Sequence, residues 1–484
     1  MAGLIGPIPA TFRLLDPGAG IGILTAAVCD RLLQLTSPRR VDLQVFENDD
    51  GVLPLLRANL TRCAEALSAA GHEVSYEIHT KDFILDTAAT TFGQQPSLFP
   101  VSCPVGPFDA VIMNPPYFKV AKDSRQARIM RDVVHGQPNI YAFFLALASE
   151  LLRPNGRLVA ITPRSFCNGL YFRGFRRWFL DRMALDHLHL FESRTDTFCD
   201  VLQESIISAA HRRGKVSATV TVTTSHSRDL RRSDKGRSLP LSTIVDDNCG
   251  ECLIRIPASE EDAEIIGTVE SWPNRFRDIG LRVSTGPVVT FRAREFLLAE
   301  ANGAGTAPLL NPGNVKPFRT LWPATRKKHP EAFRVCKESM RLLLPTRNYV
   351  LLRRFTTKEE RRRLVASQLL KTQLDGPYVA LENHLNYVYH SERDLTVDET
   401  YGLTALFNSA LLDRYFRAIS GNTQVNATEL RTMNFPALST IARIGKSIRQ
   451  QREPEGGMAE QIVFTELGVG AGLRRFLTTS NTLF

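Results

Sequence analysis

Short apolar runs alternate with stretches of helical period through the first half of the chain. Residues 12–15, 41–46, 75–79, 108–113, 157–161, 185–191 and 204–209 read as strands. Residues 23–28, 53–70 and 139–152 carry apolar positions at helical spacing or a continuous apolar run too long for a strand. This alternation predicts an α/β fold, a doubly wound and mostly parallel sheet with helices on both faces. The pattern changes after residue 210, where a Thr/Ser-rich and then basic stretch (211–241) reads as the end of that sheet plus a linker. A new β-containing region starts at 281–291. The expected organisation is a first domain over 1–225, a connecting region over 226–280 and a mixed α+β region over 281–484.

Two interruptions in this pattern carry candidate chemistry. The run 108–113 is stopped by Asn114-Pro115-Pro116-Tyr117. Neither proline can donate a ladder hydrogen bond, and each biases the residue before it away from helix. A stiff corner at the carboxyl end of a strand is where open α/β sheets bind ligands. The Asn114 side-chain oxygen and the Pro115 carbonyl suit the two hydrogens of a planar amine, and Tyr117 can stack on its ring. The plain alternative is an ordinary proline-rich turn. Upstream, the first strand runs into Asp16-Pro-Gly18-Ala-Gly20-Ile-Gly22 and then a helix. Such glycines let a ligand approach the backbone. The spacing is not GxGxxG, and no Lys-Ser/Thr follows as in a phosphate loop. The acidic residue at the strand end favours a cationic ligand, and S-adenosylmethionine, with its ammonium and sulfonium, fits Asp16.

Glu47 ends the second strand, where a carboxylate commonly holds ribose hydroxyls; Asp49 and Asp50 are the fallback. Asp82, after the third strand, is a candidate for the adenine amine, with a helix N-cap as the competing role. Residues 87–107 read as a loop. Residues 119–138, with five Lys and Arg, read as a mobile flap beside the substrate or as a solvated helix.

Composition narrows the class further. The 484 residues are 43% hydrophobic and 23% charged, normal for a globular chain of two or three domains. No apolar run is long enough to span a membrane and the N-terminus lacks a signal peptide's basic flank, so a cytoplasmic location with no membrane partner is expected. A net charge of +10 fits a polyanionic partner. The eight cysteines are scattered; Cys249 and Cys252 form a lone CxxC with no second ligand pair, so no metal site is expected.

The two motifs in this order, LLDPGAGIG and MNPPYF, resemble the gamma-class N6-adenine DNA methyltransferases of restriction–modification systems. The resemblance extends through NIYAFFLALASELLRPNGRLVAITPRSF and FESRTDTFCDVLQESIIS, and resumes at LLRRFTTKEERRRLVA and SGNTQVNATELRTMNFP. It implies a class I, Rossmann-like catalytic domain followed by a C-terminal target-recognition region. It implies transfer of a methyl group from S-adenosylmethionine to N6 of an adenine extruded from double-stranded DNA (EC 2.1.1.72), with a cognate restriction endonuclease encoded separately. On matching positions, Asp16, Gly18, Gly20, Glu47 and Asp82 would bind the cofactor. Asn114 and Pro115 would hold the target amine within a catalytic motif that includes Pro116 and Tyr117, and Tyr117 and Phe198 would sandwich the base. Related enzymes carry a further segment before the glycine turn that closes over the cofactor's methionine end. Only Met1 to Leu15 precede Asp16 here, so that segment is expected to be missing.

Basic clusters with Tyr349 and Phe355 between them fit phosphate contact or a solvated helix face. The amide-rich stretches 383–386 and 420–426 fit base reading or plain turns. Two competing functions use the same parts: methylation of RNA or of a protein glutamine amide, and a catalytically degenerate DNA-binding protein.

Overall fold

In the first of two units, Met1–Ala258, nine strands form one sheet. They are β1 (Thr11–Pro17), β2 (Arg40–Phe46), β3 (Glu73–His79), β4 (Phe108–Met113), β5 (Leu152–Pro163), β6 (Met183–Phe191), β7 (Ser205–Arg212), β8 (Thr219–Ser225) and β9 (Arg237–Pro240). The computed structural model describes residues 1–91, 106–134, 139–191, 205–214, 218–225, 236–246, 250–300, 303, 305–323, 330–356, 360–420, 424–451 and 457–480. The strand order is β3-β2-β1-β4-β5-β7-β6-β8-β9. The first five strands run parallel, and β7 is antiparallel to both β5 and β6.

Helices α1 (Ile23–Leu32), α2 (Leu53–Ala69), α3 (Phe83–Thr91), α4 (Arg125–Ile129), α5 (Ile140–Leu151) and α6 (Arg173–Arg182) accompany this sheet. Because successive strand residues face opposite ways, one set of side chains feeds each layer. Leu14, Ala110, Ile112 and Val159 pack with Val28 and Leu32 of α1 and Leu67 of α2. Leu15, Val111, Met113, Leu158 and Ala160 pack with α5 and α6. All six residues of β4 are buried, which explains its unbroken apolar run.

The structure departs from the expected pattern in two stretches. Residues 211–241 do end the sheet, but with two further paired strands in place of the expected linker: β-branched Thr219–Ser225 pairs with β6 and Arg237–Pro240 pairs with β8 at the sheet's edge. Their alternating Val220 and Val222 are buried, a strand signal masked by the surrounding Thr and Ser. Residues 119–134 are not simply a solvated flap. Ser124 caps α4 by accepting from Ala127 N, and Ala127, Met130, Val133 and Val134 are buried in the core beside α5. The basic side chains hid this apolar stripe. Residues 135–138 lie outside the described residues.

The second unit, Ser259–Phe484, opens with the helix Glu260–Glu270. It contains a four-stranded antiparallel sheet in the order Leu281–Thr285, Leu385–His390, Tyr349–Arg353, Ala366–Leu369. A five-stranded sheet and a group of C-terminal helices complete it. Helices Val397–Phe407 and Leu438–Arg449 touch backbone to backbone. A Cβ at Gly402 would overlap the Ile441 carbonyl, and one at Gly445 the Asp398 carbonyl. Gly445→Ala is therefore expected to destabilise this unit by about 1–3 kcal/mol, the usual penalty of overpacking. Thermal denaturation of the variant checks this, and an unchanged melting temperature would refute it.

Among the described residues, no helix is long and apolar enough to cross a membrane, and no group of three or more His, Cys, Asp or Glu could hold a metal ion. Cys252 is buried; Cys249 lies outside the described residues.

Candidate active site

The strand order turns back on itself between β1 and β4, which pair in parallel with Leu14 opposite Ala110 and Leu15 opposite Val111. Chain segments leaving these two strands must diverge, and the crevice between them is the binding position of an open α/β sheet. Both sequence motifs open into it. Gly18, Gly20 and Gly22 all have positive φ, near 74°, 57° and 82°, so the turn follows a path that L side chains resist. A methyl group added at Gly18 would lie 3.9 Å from Cδ of Pro116 and 3.5 Å from a ring carbon of Phe144. The glycine turn and the proline corner are thus neighbours across the crevice.

The turn is pinned from below and from one side. Gly18 and Ala19 N–H groups both donate to the Phe46 carbonyl at the end of β2, each at 2.9 Å. Glu47 accepts from Gly20 N at 2.8 Å through one oxygen and from Asp49 N at 2.9 Å through the other. Its carboxylate therefore shapes the turn. An aromatic ladder runs underneath: His79 stacks on Phe46, Phe46 meets Phe83 edge-on and Phe83 leans on Phe144. Ring separations are 4.5, 5.0 and 5.1 Å, within the favourable range for aromatic pairs.

Asp16 ends β1 and is fully buried. Its Oδ2 accepts from the Thr25 hydroxyl at 2.7 Å, while Oδ1 is buried without a hydrogen-bond partner. Burial, reinforced by the nearby negative charge of Glu47, pushes its pKa up to about 7, and the bond from Thr25 works the other way. An unpaired buried carboxylate oxygen at the floor of a glycine turn is the acceptor an ammonium group needs. Gly20 adds open space, because nothing lies within 4 Å of where its Cβ would stand. These residues fit S-adenosylmethionine.

Asp82 follows β3 and caps α3, accepting from Leu85 N at 2.9 Å; its other oxygen accepts from the Gln126 side chain at 3.1 Å. The N-cap weighed from the sequence is its observed role.

Beyond β4, Asn114 is exposed while Pro115 is buried. The Tyr117 hydroxyl lies 2.7 Å from Oδ1 of Asn114 and 2.8 Å from the carbonyl of Ile161 in β5. One proton shared between these two acceptors holds the amide to the corner and the corner to the next strand. Burial raises the Tyr117 pKa, so the hydroxyl stays protonated and remains a donor. Its ring packs edge-on to Tyr141 at 6.3 Å, and the following residue, Phe118, is more than half exposed. The exit of the corner is fixed by Ile140 N donating to the Phe118 carbonyl at 3.0 Å. Phe198 lies outside the described residues.

The structure thus brings Asp16, Gly18, Gly20, Glu47, Asn114, Pro115, Pro116 and Tyr117 to the carboxyl ends of β1, β2 and β4. Sequence reasoning missed Thr25, the aromatic ladder and the Ile161 carbonyl. A hydroxyl inside the otherwise apolar start of α1 was a usable signal for Thr25. The ladder joins four elements and has no local signature.

Comparisons with known proteins identify the family. Residues 56–198 match the Eco57I restriction-modification methylase family. The chain is 36% identical to the type II methyltransferase M.BsuBI of Bacillus subtilis over 451 residues, covering 92% of this chain and 86% of that one. It is 34% identical to the type II methyltransferase M.PstI of Providencia stuartii over 453 residues, covering 93% and 87%. The solved type IIL restriction-modification enzyme MmeI, in complex with DNA, shares the fold with a TM-score of 0.52 at 11% identity, covering 98% of this chain and 70% of that one. By sequence likeness over nearly its whole length, the chain belongs to the type II methyltransferases of restriction–modification systems, whose methyl donor is S-adenosylmethionine.

Proposed function

We propose that this chain methylates N6 of an adenine extruded from duplex DNA, as the modification enzyme of a restriction–modification pair. The observation that carries the reading is the closeness of the glycine turn after β1 to the Asn-Pro-Pro-Tyr corner after β4. The bound cofactor supplies an electrophilic methyl group on a sulfonium.

The chain's own residues do the rest. Asp16 pairs with the cofactor's ammonium, and Glu47 faces its ribose. Oδ1 of Asn114 and the Pro115 carbonyl accept the two hydrogens of the adenine amine. That draws the nitrogen lone pair out of conjugation with the ring and aims it along the transfer axis. Positioning is then the main catalytic effect. Asn114 is no base; the proton leaves after transfer. Extruding the base costs a few kcal/mol, and stacking on Tyr117 returns about 1–3 kcal/mol by analogy with single-strand binders. Phe198 is proposed as the second face of that stack. Asp82 is proposed to reach the cofactor's adenine with the lone pairs that capping leaves unused.

The second unit, including residues 281–484, is proposed as the target-recognition region, working on DNA in the cytoplasm with a separately encoded endonuclease as its genetic partner. DNA from cells expressing the chain, digested to nucleosides, is expected to contain N6-methyladenine. N4-methylcytosine in its place, or methyl groups only in RNA or protein, would overturn the reading.

A further inference from the structure

The antiparallel register of the second unit's four-stranded sheet gathers three turns at one end. Arg353 pairs with Leu385 and Thr285 with Asn386, so the residues after Arg353, before Leu385 and after Thr285 share that end. Gly286 N donates to the Leu385 carbonyl, and a Cβ at Gly286 would overlap the Glu382 carbonyl, so these turns are seated closely on one another.

A composite side-chain surface stands on this base. Phe355 is 45% exposed, where a ring of its size is more often buried. The Arg354 guanidinium lies 5.7 Å from its centroid, and the His384 ring meets it edge-on at 5.0 Å. His384 is itself oriented by Glu382, 3.1 Å from Nδ1. Arg354 donates to the Asn383 carbonyl at 3.1 Å and to the Gln424 side-chain oxygen at 3.2 Å. Val425 N donates to the Arg354 carbonyl at 2.8 Å, which fixes Gln424 beside Phe355. Nearby, the hairpin carrying exposed Lys316 and Arg319 is tied to the same sheet, with Phe318 N donating to Ala366 and Arg353 Nε to Val315. Asn386, by contrast, is fully buried between Thr285 and Val425 and serves the scaffold.

The surface therefore combines an exposed ring flanked by an arginine and a histidine, a held carboxamide and, on the adjoining strand and hairpin, cationic side chains. Stacked or grooved bases between phosphates match it: the cations meet the backbone, the carboxamide meets base edges and the ring meets an apolar base face or methyl. We propose that this end of the sheet is the sequence-reading contact with duplex DNA, with Phe355 as its apolar anchor and Gln424 as a specificity-determining residue. The inference rests on the DNA reading above.

Purified wild-type chain, Phe355→Ala, Phe355→Leu and Gln424→Ala are each given labelled S-adenosylmethionine and methylation-free plasmid DNA, and the methylated sites are mapped by sequencing. Phe355→Ala is expected to raise the KM for DNA about tenfold or more, the scale of one lost base contact in a duplex site, with melting temperature and cofactor affinity unchanged. Phe355→Leu, which keeps apolar bulk without the ring, is expected to fall between the two. Gln424→Ala is expected to admit a second base at one position of the recognised sequence. Wild-type-like kinetics in both Phe355 variants together with an unchanged site in Gln424→Ala would overturn the inference. If wild type itself leaves the plasmid unmethylated and methylates RNA or protein, the DNA reading fails, and this inference fails with it for that separate reason.

Discussion

Asn114→Ala is expected to reduce methyl transfer by about 10²–10³-fold, on the scale of deleting one transition-state hydrogen-bond partner. The loss should fall on kcat, because the amine is held most tightly once its nitrogen turns tetrahedral. Cofactor affinity and melting temperature should stay at wild-type values, since Asn114 is exposed and its side-chain oxygen accepts from the Tyr117 hydroxyl within the same corner. Asn114→Asp is a sharper companion. A carboxylate still accepts from the amine and from Tyr117, so it should retain more activity than Ala. Equal, near-wild-type turnover in Asn114→Ala would remove this residue from the chemistry. Single-turnover transfer on methylation-free DNA separates the chemical step from product release.

Asp16 is proposed to hold the cofactor, and its effect should be visible without any DNA. Asp16→Ala should weaken cofactor binding about 10- to 100-fold, matching the roughly 1.5–3 kcal/mol of a hydrogen bond to a charged group. The pH dependence carries a definite sign. In the folded chain without cofactor, burial raises this carboxyl from 3.8 to about 7. The folded state then binds more protons than the unfolded one, so the group's contribution to stability is present below the unfolded pKa and fades as pH rises towards 7. An ammonium partner needs the carboxylate, so cofactor binding strengthens over the same interval. The cofactor-induced rise in melting temperature should therefore be small at pH 6, grow through pH 7 and level off above about pH 8. Asp16→Ala should flatten that profile. A shift independent of pH in the wild type would detach Asp16 from the cofactor.

Much of this site was legible because its two motifs break their surroundings abruptly. Asn114 to Tyr117 ends an apolar run with two prolines, and three glycines in five residues follow the Asp16 strand. Such punctuation is local, and so is the alternation that gave the parallel strands. What was not legible depends on distant partners. The glycine turn's anchor is the carbonyl of Phe46, 28 residues after Gly18 (46 − 18), and the proline corner's anchor is the Ile161 carbonyl. Neither backbone oxygen leaves a mark on the sequence. The stretch 119–134 misled because exposed Lys and Arg share a segment with Met130, Val133 and Val134, and charge drew attention from the buried side. Thr219–Ser225 misled for the opposite reason: threonine reads as loop by polarity and as strand by branching at Cβ.

The second unit was less legible still. Its four-stranded sheet joins residues 281–285 to 385–390 across about a hundred positions, so register rather than local propensity brings its turns together. Asn386 and Asn383 illustrate the consequence. They stand three residues apart in one amide-rich stretch, yet the first is sealed inside the sheet and the second lies in the turn beside Phe355. Composition alone could not have told scaffold from surface.

The central claim is that the turn after β1 and the corner after β4 form one reaction site. A crystal structure of the chain with S-adenosylhomocysteine, the demethylated cofactor, tests it most directly. The account predicts the ammonium within hydrogen-bond distance of Asp16 Oδ1 and the sulfur facing the Asn114–Tyr117 corner across the crevice. A cofactor bound with its sulfur turned away from that corner, or bound without touching Asp16, would contradict it.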